Sequence, residues 1–397
     1  MVITEVIAPY RIPVFNSLSA LEGVDLHVIF LAETHPTLRQ WLVYKDEIQF
    51  SFEVLRSFRR GLVGYDVIIH RGLRSALLSS RPDVVICGGY SYAASWEAMV
   101  WSKMHRIPFV LWCESNAEDK RGNRVFVELL KRMFLAGCSG YIVPGRASFK
   151  YIKGFGVPDG LITTAPNAVD IRLFSSKAVE AKKEERAIRR KLGLPSRYFI
   201  YVGRLVTEKG LFDLLEAYGG LEERLKADVG AVFVGDGREK SELLKQAASI
   251  HPGNVQCVGF VQREEMPSYY ALAEALVFPT LTDPWGLVVN EAMACSLPII
   301  ASRVAGCTPD LVIDQWNGYV VSPGDVGSLT EAMTALAEQP DLAIRMGKNS
   351  ANHILSYSPE ACAQGFALAA QKAREAWSCG CQDPSASTIR VMKGNNL

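Results

Sequence analysis

The 397 residues are enough for two domains, and 49% apolar with 21% charged residues is the profile of a globular chain. Lys and Arg number 43 against 42 Asp and Glu, a formal charge of +1 that gives no support to nucleic-acid binding. No uninterrupted apolar run approaches the roughly 20 residues of a membrane-spanning helix. The first residues include Glu5 and no basic segment, so no signal peptide and a cytoplasmic location are expected.

In chain order, the first half alternates short β-branched runs with helical patterns. Residues 24–32, 83–88, 108–115 and 140–145 read as strands, with helices over Ser91 to His105 and Arg124 to Ala136 between them. A join is expected near APNAVDIRLF (165–174), where Pro166 and Asn167 break the pattern. The charged run 178–193 then reads as a solvated helix. The second half repeats the scheme, with strands over 198–204, 231–237, 255–260, 275–280 and 298–302. KGLFDLLEAYGGL, SELLKQAASI and WGLVVNEAMACS are the helices between them. A periodic helix around Ala361 to Ala376 closes the globular part, and 378–397 reads as a flexible tail. Strands separated by helix-length segments imply parallel sheets wound on both faces, so the expected class is α/β with two such domains.

Nine cysteines without regular spacing, many inside apolar runs (Cys87, Cys257, Cys295), argue against a disulfide framework and for a reducing compartment. Cys379 and Cys381 form a lone C-G-C with no second pair, and read as tail residues rather than zinc ligands. No Asp-x-Asp pair or His cluster offers an obvious metal site, and no cofactor is expected. His70, His105 and His353 read as ordinary core or surface histidines.

The chemistry concentrates in two strand-to-helix junctions. In ALVFPTLTDPWGLVVNEAMACS a strand ends near Thr280, a loop holds Asp283, Pro284 and Trp285, and a helix opens near Gly286. Free amides at Gly286 and Leu287, with the positive end of the helix dipole, suit a phosphate oxygen. Glu291 is an acceptor-only group suited to paired hydroxyls such as a ribose, while Asp283 is suited both to capping the helix and to binding a ligand. In YVGRLVTEKGLFDLL, Arg204 follows a strand and Lys209 stands at the mouth of the next helix. Two fixed cations and a helix N-terminus can stabilise a leaving diphosphate as a metal ion does elsewhere. Gly235 and Gly237 in VGDG read as turn glycines rather than phosphate ligands.

On GRLVTEKG, VGDG, VGFV (258–261), DPWGLVVNEAM and DLVIDQWNGYVVSPGD, in this order, the chain resembles the retaining GT-B-fold glycosyltransferases. These belong to the large bacterial lipopolysaccharide and exopolysaccharide group. APYRIPVFNSL and PNAVD resemble segments of its first half. The resemblance implies two Rossmann-like domains facing across a cleft. It assigns 1–168 to the acceptor, 169–352 to the nucleotide sugar, and 353–377 to a helix crossing back to the first domain. It implies that Arg204 and Lys209 hold the donor diphosphate, with Gly286 and Leu287 helping. Glu291 matches the ribose-binding second Glu of the E-x7-E motif. Asp283 stands at the first, sugar-contacting Glu and is one methylene shorter. Phe260 and Val261, after Gly259, would line the nucleobase pocket. No metal is implied, and the expected reaction is same-face attack with the leaving diphosphate taking the proton. The implied partners are a nucleoside-diphosphate sugar and a saccharide or lipid-linked acceptor. A sugar-nucleotide epimerase of the same architecture and a catalytically silent scaffold are the alternatives.

The first half departs from the group. Where relatives carry a Gly-Gly loop after the first strand, this chain has Pro9 to Pro13, so Arg11 is expected to meet the donor phosphate. Where relatives carry a His after the fourth strand, this chain has Glu114, expected as a polar active-site residue. Charge is unevenly divided: residues 1–173 hold 20 basic and 16 acidic side chains, the remainder 23 and 26. Arginines 56, 59, 60, 71 and 74 stand against Asp66 alone. Lys120, Arg121, Arg124, Lys131 and Arg132 accompany Phe126, Leu129, Leu130, Met133 and Phe134. Basic and apolar residues on one helix suit either peripheral contact with an anionic membrane or ordinary packing on a sheet.

Overall fold

The computed structural model describes residues 1–34, 40–62, 65–118, 125–250 and 253–378, with the backbone alone at 58–62, 65–69 and 125–126. Cys379, Cys381 and the tail lie outside the described residues, as do Lys120, Arg121 and Arg124 and the side chains of Arg59, Arg60, Asp66 and Phe126. The first sheet holds seven parallel strands: β1 (Val2–Thr4), β2 (His27–Phe30), β3 (Ser51–Val54), β6 (Val85–Gly88), β7 (Phe109–Trp112), β8 (Gly140–Val143) and β9 (Ile162–Thr164). Their order is β3-β2-β1-β6-β7-β8-β9. An antiparallel hairpin, β4 (Arg56–Leu62) with β5 (Tyr65–Arg71), stands off this sheet. The second sheet runs β12-β11-β10-β13-β14-β15, all parallel. Its strands are β10 (Tyr198–Val202), β11 (Gly230–Val234), β12 (Val255–Gly259), β13 (Ala275–Phe278), β14 (Ile299–Ser302) and β15 (Gly318–Val321).

Helices cover both faces of each sheet, so central strands such as FVLW, GYIV, ALVF and IIAS are buried along their whole length. Strand order reverses between β1 and β6 in the first sheet and between β10 and β13 in the second. Loops leaving the carboxyl ends of the strands part there and open a crevice. The two crevices face each other, which is the GT-B arrangement.

Several elements differ from the sequence expectation. The run 178–193 is not one solvated helix. A helix Ile171–Lys183 begins earlier, where Asp170 Oδ1 accepts the Leu173 amide at 2.9 Å, and buries Ile171, Phe174, Ala178 and Ala181. A second helix, Glu185–Leu192, follows a break at Glu184. Strands end sooner than their apolar runs: β7 stops at Trp112, which frees Cys113 to Asn116 as a loop, and β13 stops at Phe278. Phe134 faces inward, 4.9 Å from the Trp96 ring and fully buried, whereas Leu129 and Met133 are exposed.

The helix Pro359–Ser378 packs into the first domain. Its Phe366 ring lies 5.1 Å from Trp112 and 6.3 Å from Phe15, in a core shared with Ile142 and Ala165. Gly365 permits this crossing, since a Cβ there would stand 2.6 Å from the Ala165 backbone. No described helix is long and apolar enough to cross a membrane.

Candidate functional site

The second domain builds its wall from the two loops that leave β10 and β13. The β10 loop carries Arg204 and, in a 3-10 turn Thr207–Lys209, the second cation. Gly210 follows with φ +69°, and a Cβ there would fall 2.0 Å from the Pro279 carbonyl oxygen, so glycine lets the loops touch. They are stitched by the Leu281 amide and the Thr280 hydroxyl, which donate to Glu208 O at 3.0 and 3.3 Å.

Lys209 Nζ donates to Asp283 Oδ2 at 2.7 Å and to Thr282 O at 3.0 Å, while Asp283 Oδ1 accepts the Trp285 amide at 3.0 Å. An ammonium has three N–H groups, so one donor remains after these two bonds. Arg204 is exposed, and no hydrogen bond or ion pair of its side chain is found among the described residues. Its position is fixed by the backbone: Leu205 N donates to Asp236 O at 2.9 Å, and the Tyr201 hydroxyl donates to the Arg204 carbonyl at 2.9 Å. The glycines of VGDG are required here. A Cβ on Gly235 would lie 1.9 Å from Gly203 O, and one on Gly237 2.3 Å from Leu205 O.

Gly286, with φ +100°, caps the helix Leu287–Ala294, and a Cβ there would strike the Phe278 ring at 2.6 Å. The Leu287 and Val288 amides that follow point out of its N-terminus, while the Val289 amide donates to Gly286 O at 3.0 Å. One turn on, Glu291 accepts the Tyr270 hydroxyl at 2.7 Å. Burial raises its carboxyl to about 7, the Tyr270 bond opposing that rise in part. The neighbouring Asn290, equally polar in the sequence, has a structural role. It accepts Trp285 Nε1 at 2.9 Å and donates to Asn167 O at 2.9 Å, tying the helix to the linker. Phe260 is exposed and Val261 half-buried, just after Gly259 at φ +83°.

The first domain contributes differently. Arg11, on the loop after β1, is not open to a phosphate. It is only 5% exposed, forms an ion pair with Glu114 Oε1 through Nη2, and lies 4.2 Å above the Trp112 ring. Its Nη1 is buried and finds no hydrogen-bond partner among the described residues. A guanidinium taken from water needs a carboxylate, and Glu114, at the end of β7, supplies it while remaining partly solvated.

Two sets of cross-domain contacts were not apparent in the sequence. Asn116 donates to the Asp283 carbonyl at 3.2 Å, and the Thr282 hydroxyl donates to Glu118 O at 3.3 Å. Beside the Phe260–Val261 turn, Gln262 donates to Gln40 O at 3.1 Å and accepts the Leu42 amide at 3.2 Å. Arg263 pairs with both carboxylate oxygens of Glu47 and stacks 4.0 Å from the Tyr44 ring, whose hydroxyl donates to Glu264. Among the described residues, no three His, Cys, Asp or Glu side chains are grouped to hold a metal ion.

Comparison with known proteins bears on this arrangement. Residues 184–353 match the family described as "Glycosyl transferases group 1", and residues 16–173 match "Glycosyltransferase Family 4". Glycosyltransferase TuaC of Bacillus subtilis, named for teichuronic acid biosynthesis, is 34% identical over 307 residues, 72% of each chain. A GDP-mannose-dependent alpha-(1-6)-phosphatidylinositol monomannoside mannosyltransferase of Mycolicibacterium smegmatis is 30% identical over 50% of this chain and 52% of its own. Apart from TuaC, the matched stretch spans about half the length of such relatives. Among solved structures, Anabaena Alr3699/HepE in complex with UDP superposes with a TM-score of 0.73. It is 18% identical over 92% of this chain and 98% of its own, a likeness of fold.

Proposed function

The chain belongs to the group 1 glycosyltransferases, and on that footing we propose that it moves a hexose-type sugar from a nucleoside-diphosphate sugar to a saccharide or lipid-linked acceptor. Transfer proceeds with retention of configuration and without a metal ion. The observation that carries this reading is the convergence of Arg204, Lys209 and the amides after Gly286 at one strand-order reversal.

The role of each residue follows from its chemistry. The exposed Arg204 and the remaining Lys209 N–H take diphosphate oxygens, with Gly286 and Leu287 as amide donors. Asp283 keeps Lys209 in place and offers carboxylate lone pairs to the transferred sugar. Glu291 accepts the ribose hydroxyls, and Phe260 with Val261 flanks the base. An acceptor hydroxyl oxygen bonds to the anomeric carbon as the bond from that carbon to the diphosphate oxygen breaks. The hydroxyl proton passes to the departing diphosphate, whose new charge Arg204 and Lys209 meet in a cleft sheltered from water. Glu114 and Arg11 border the cleft from the first domain, with Glu114 directed at the sugar or the acceptor and Arg11 acting through it.

The setting proposed is synthesis of a cell-surface polysaccharide or glycolipid, following the names of the teichuronic acid and phosphatidylinositol relatives. Exposed Leu129 and Met133 beside exposed Arg132, with exposed Arg56, Arg71 and Arg74 on the same domain, support peripheral contact with an anionic membrane at its cytoplasmic face.

A thermal-shift panel of UDP, GDP and ADP, followed by their sugars, tests the donor reading. At a hundred times its Kd the right nucleotide adds about 2.7 kcal/mol. For a domain of this size that raises Tm by roughly 5–10 °C. Absence of any shift together with absence of transfer overturns the reading, and binding without transfer would favour a silent scaffold.

A further inference from the structure

We propose that Asn116 is a positioning residue. It fastens the Asp283–Pro284 turn of the second domain to the first, so that the Lys209–Asp283 pair reaches its working geometry only when the domains are docked. The proposal rests on the donor reading above. Asn116 lies four residues past the end of β7 and is 4% exposed. Its Oδ1 accepts the Glu118 amide at 3.0 Å, which orients the side chain so that Nδ2 faces the other domain. Nδ2 then donates to Asp283 O at 3.2 Å and lies 3.5 Å from Pro284 O.

The turn it meets is already held from behind. Gly306 N donates to the same Asp283 carbonyl at 3.0 Å, and a Cβ on Gly306 would stand 1.8 Å from Pro284 O and 3.0 Å from Asn116 Nδ2. The Asp283 carbonyl is therefore shared by an amide of its own domain and an asparagine of the other. Thr282, one residue earlier, bonds to Glu118 O as well. The carboxylate of Asp283 is fixed by Lys209 and the Trp285 amide, and the Asn116 bond fixes the peptide about which that carboxylate would swing. In the donor reading the nucleoside diphosphate is held by second-domain residues alone. Transfer needs the sugar held to within a fraction of an ångström, and misplacement of about 1 Å can cost on the order of a hundredfold.

This separates binding from turnover. Among the described residues, the charged groups nearest the amide are Glu114 and Glu118 on its own loop, Asp283 with Lys209 opposite, and Asp310, held by Arg146, on the helix after Gly306. Asn116→Asp keeps the shape but turns an anion toward two carbonyls. Its nucleoside-diphosphate affinity by calorimetry should stay within about twofold of the parent, with donor KM little changed. Its kcat should fall roughly 10- to 100-fold. Relative to the parent, kcat should recover as pH drops from about 7.5 to 5.5, because burial at this 4% exposed position and the adjacent carbonyls raise the Asp carboxyl above its ordinary range and the protonated form donates again, whereas Asn116→Ala should show no recovery. Asn116→Ser, which adds no charge and keeps a shorter donor, should give an intermediate kcat, and it carries the test if the Asp variant does not fold. Equal losses in the Asp and Ala variants at every pH, a kcat unchanged in Ser, or a loss confined to KM would overturn the proposal. A parent protein that neither binds a nucleoside diphosphate nor transfers sugar sinks the donor reading instead, and is recognised before any variant is made.

Discussion

The two walls of the cleft treat their cations in opposite ways. On the second domain, Arg204 is exposed and Lys209 keeps a free N–H, both held in place by backbone contacts that only glycines at 210, 235 and 237 allow. On the first, Arg11 is buried against Trp112 and given over to Glu114. Lys209 is ion-paired as well, with Asp283, but keeps one donor for a ligand, whereas Arg11 is enclosed more deeply and its charge is met by Glu114. Substitutions on the two walls should therefore differ in how much transfer they cost for a given loss of stability.

The largest effect is expected at Lys209. Lys209→Ala removes a phosphate donor and also leaves the Asp283 carboxylate uncompensated beside a diphosphate. Transfer kcat/KM should drop by at least ~10³-fold, about 4 kcal/mol, and Tm should fall as well, because the Lys209–Asp283 pair is itself largely enclosed. Arg204→Ala should be milder, near ~10²-fold, because its charge compensates no protein group. Steady-state transfer beside thermal melting checks both, and a Lys209 variant with near-parental turnover would erase the contrast between the walls.

Next comes Glu114. Glu114→Ala strands a guanidinium that is 95% enclosed, and should destabilise the protein by about 2–3 kcal/mol, below the fully buried range because Glu114 is itself partly solvated. Combining Arg11→Met with Glu114→Leu should restore most of that stability without restoring transfer. If Glu114→Ala melts like the parent, the pair is not structural and Arg11 belongs with the ligand cations after all.

The same contrast explains what could be read from the residues alone. Arg204 with Lys209, and Asp283 with Glu291, each sit within one short stretch at a strand end, so local pattern and chemistry coincide. The α/β class and the two domains followed from strands recurring between helix-length segments, and the GT-B form from the resemblance carried by the motifs at the strand ends. Arg11 and Glu114 are 103 residues apart, Asn116 and Asp283 are 167 apart, and Tyr44 and Glu264 are 220 apart. Nothing in a linear pattern pairs such residues, so Arg11 read as a free cation and Asn116 went unnoticed. Asn290 shows the converse case. A polar residue in an apolar helix meets a requirement, and here the requirement is an anchor to the linker. Strand β1, at three residues, is too short for any periodicity, yet it lies in the middle of its sheet.

The smallest expected effect concerns Glu291, which sharpens the picture within the second domain. Its folded carboxyl titrates near 7 rather than its ordinary 4.5, so between those values the folded protein holds a proton that the unfolded chain releases. The stability from that proton is complete below about pH 4.5 and disappears as pH rises through 7. The stability of the parent relative to Glu291→Gln should therefore decline across this window and level off above it. Nucleotide affinity should run the other way, because paired ribose hydroxyls donate best to the ionised carboxylate. Tyr270→Phe removes a hydrogen bond favouring that ionised form, moves the midpoint upward, and should weaken binding about threefold at pH 7 while sparing it at pH 8.5. Calorimetric titrations with the nucleoside diphosphate from pH 5.5 to 8.5 measure both curves. An affinity that is flat over that range would remove Glu291 from the ribose and leave it a buried acid of the helix core.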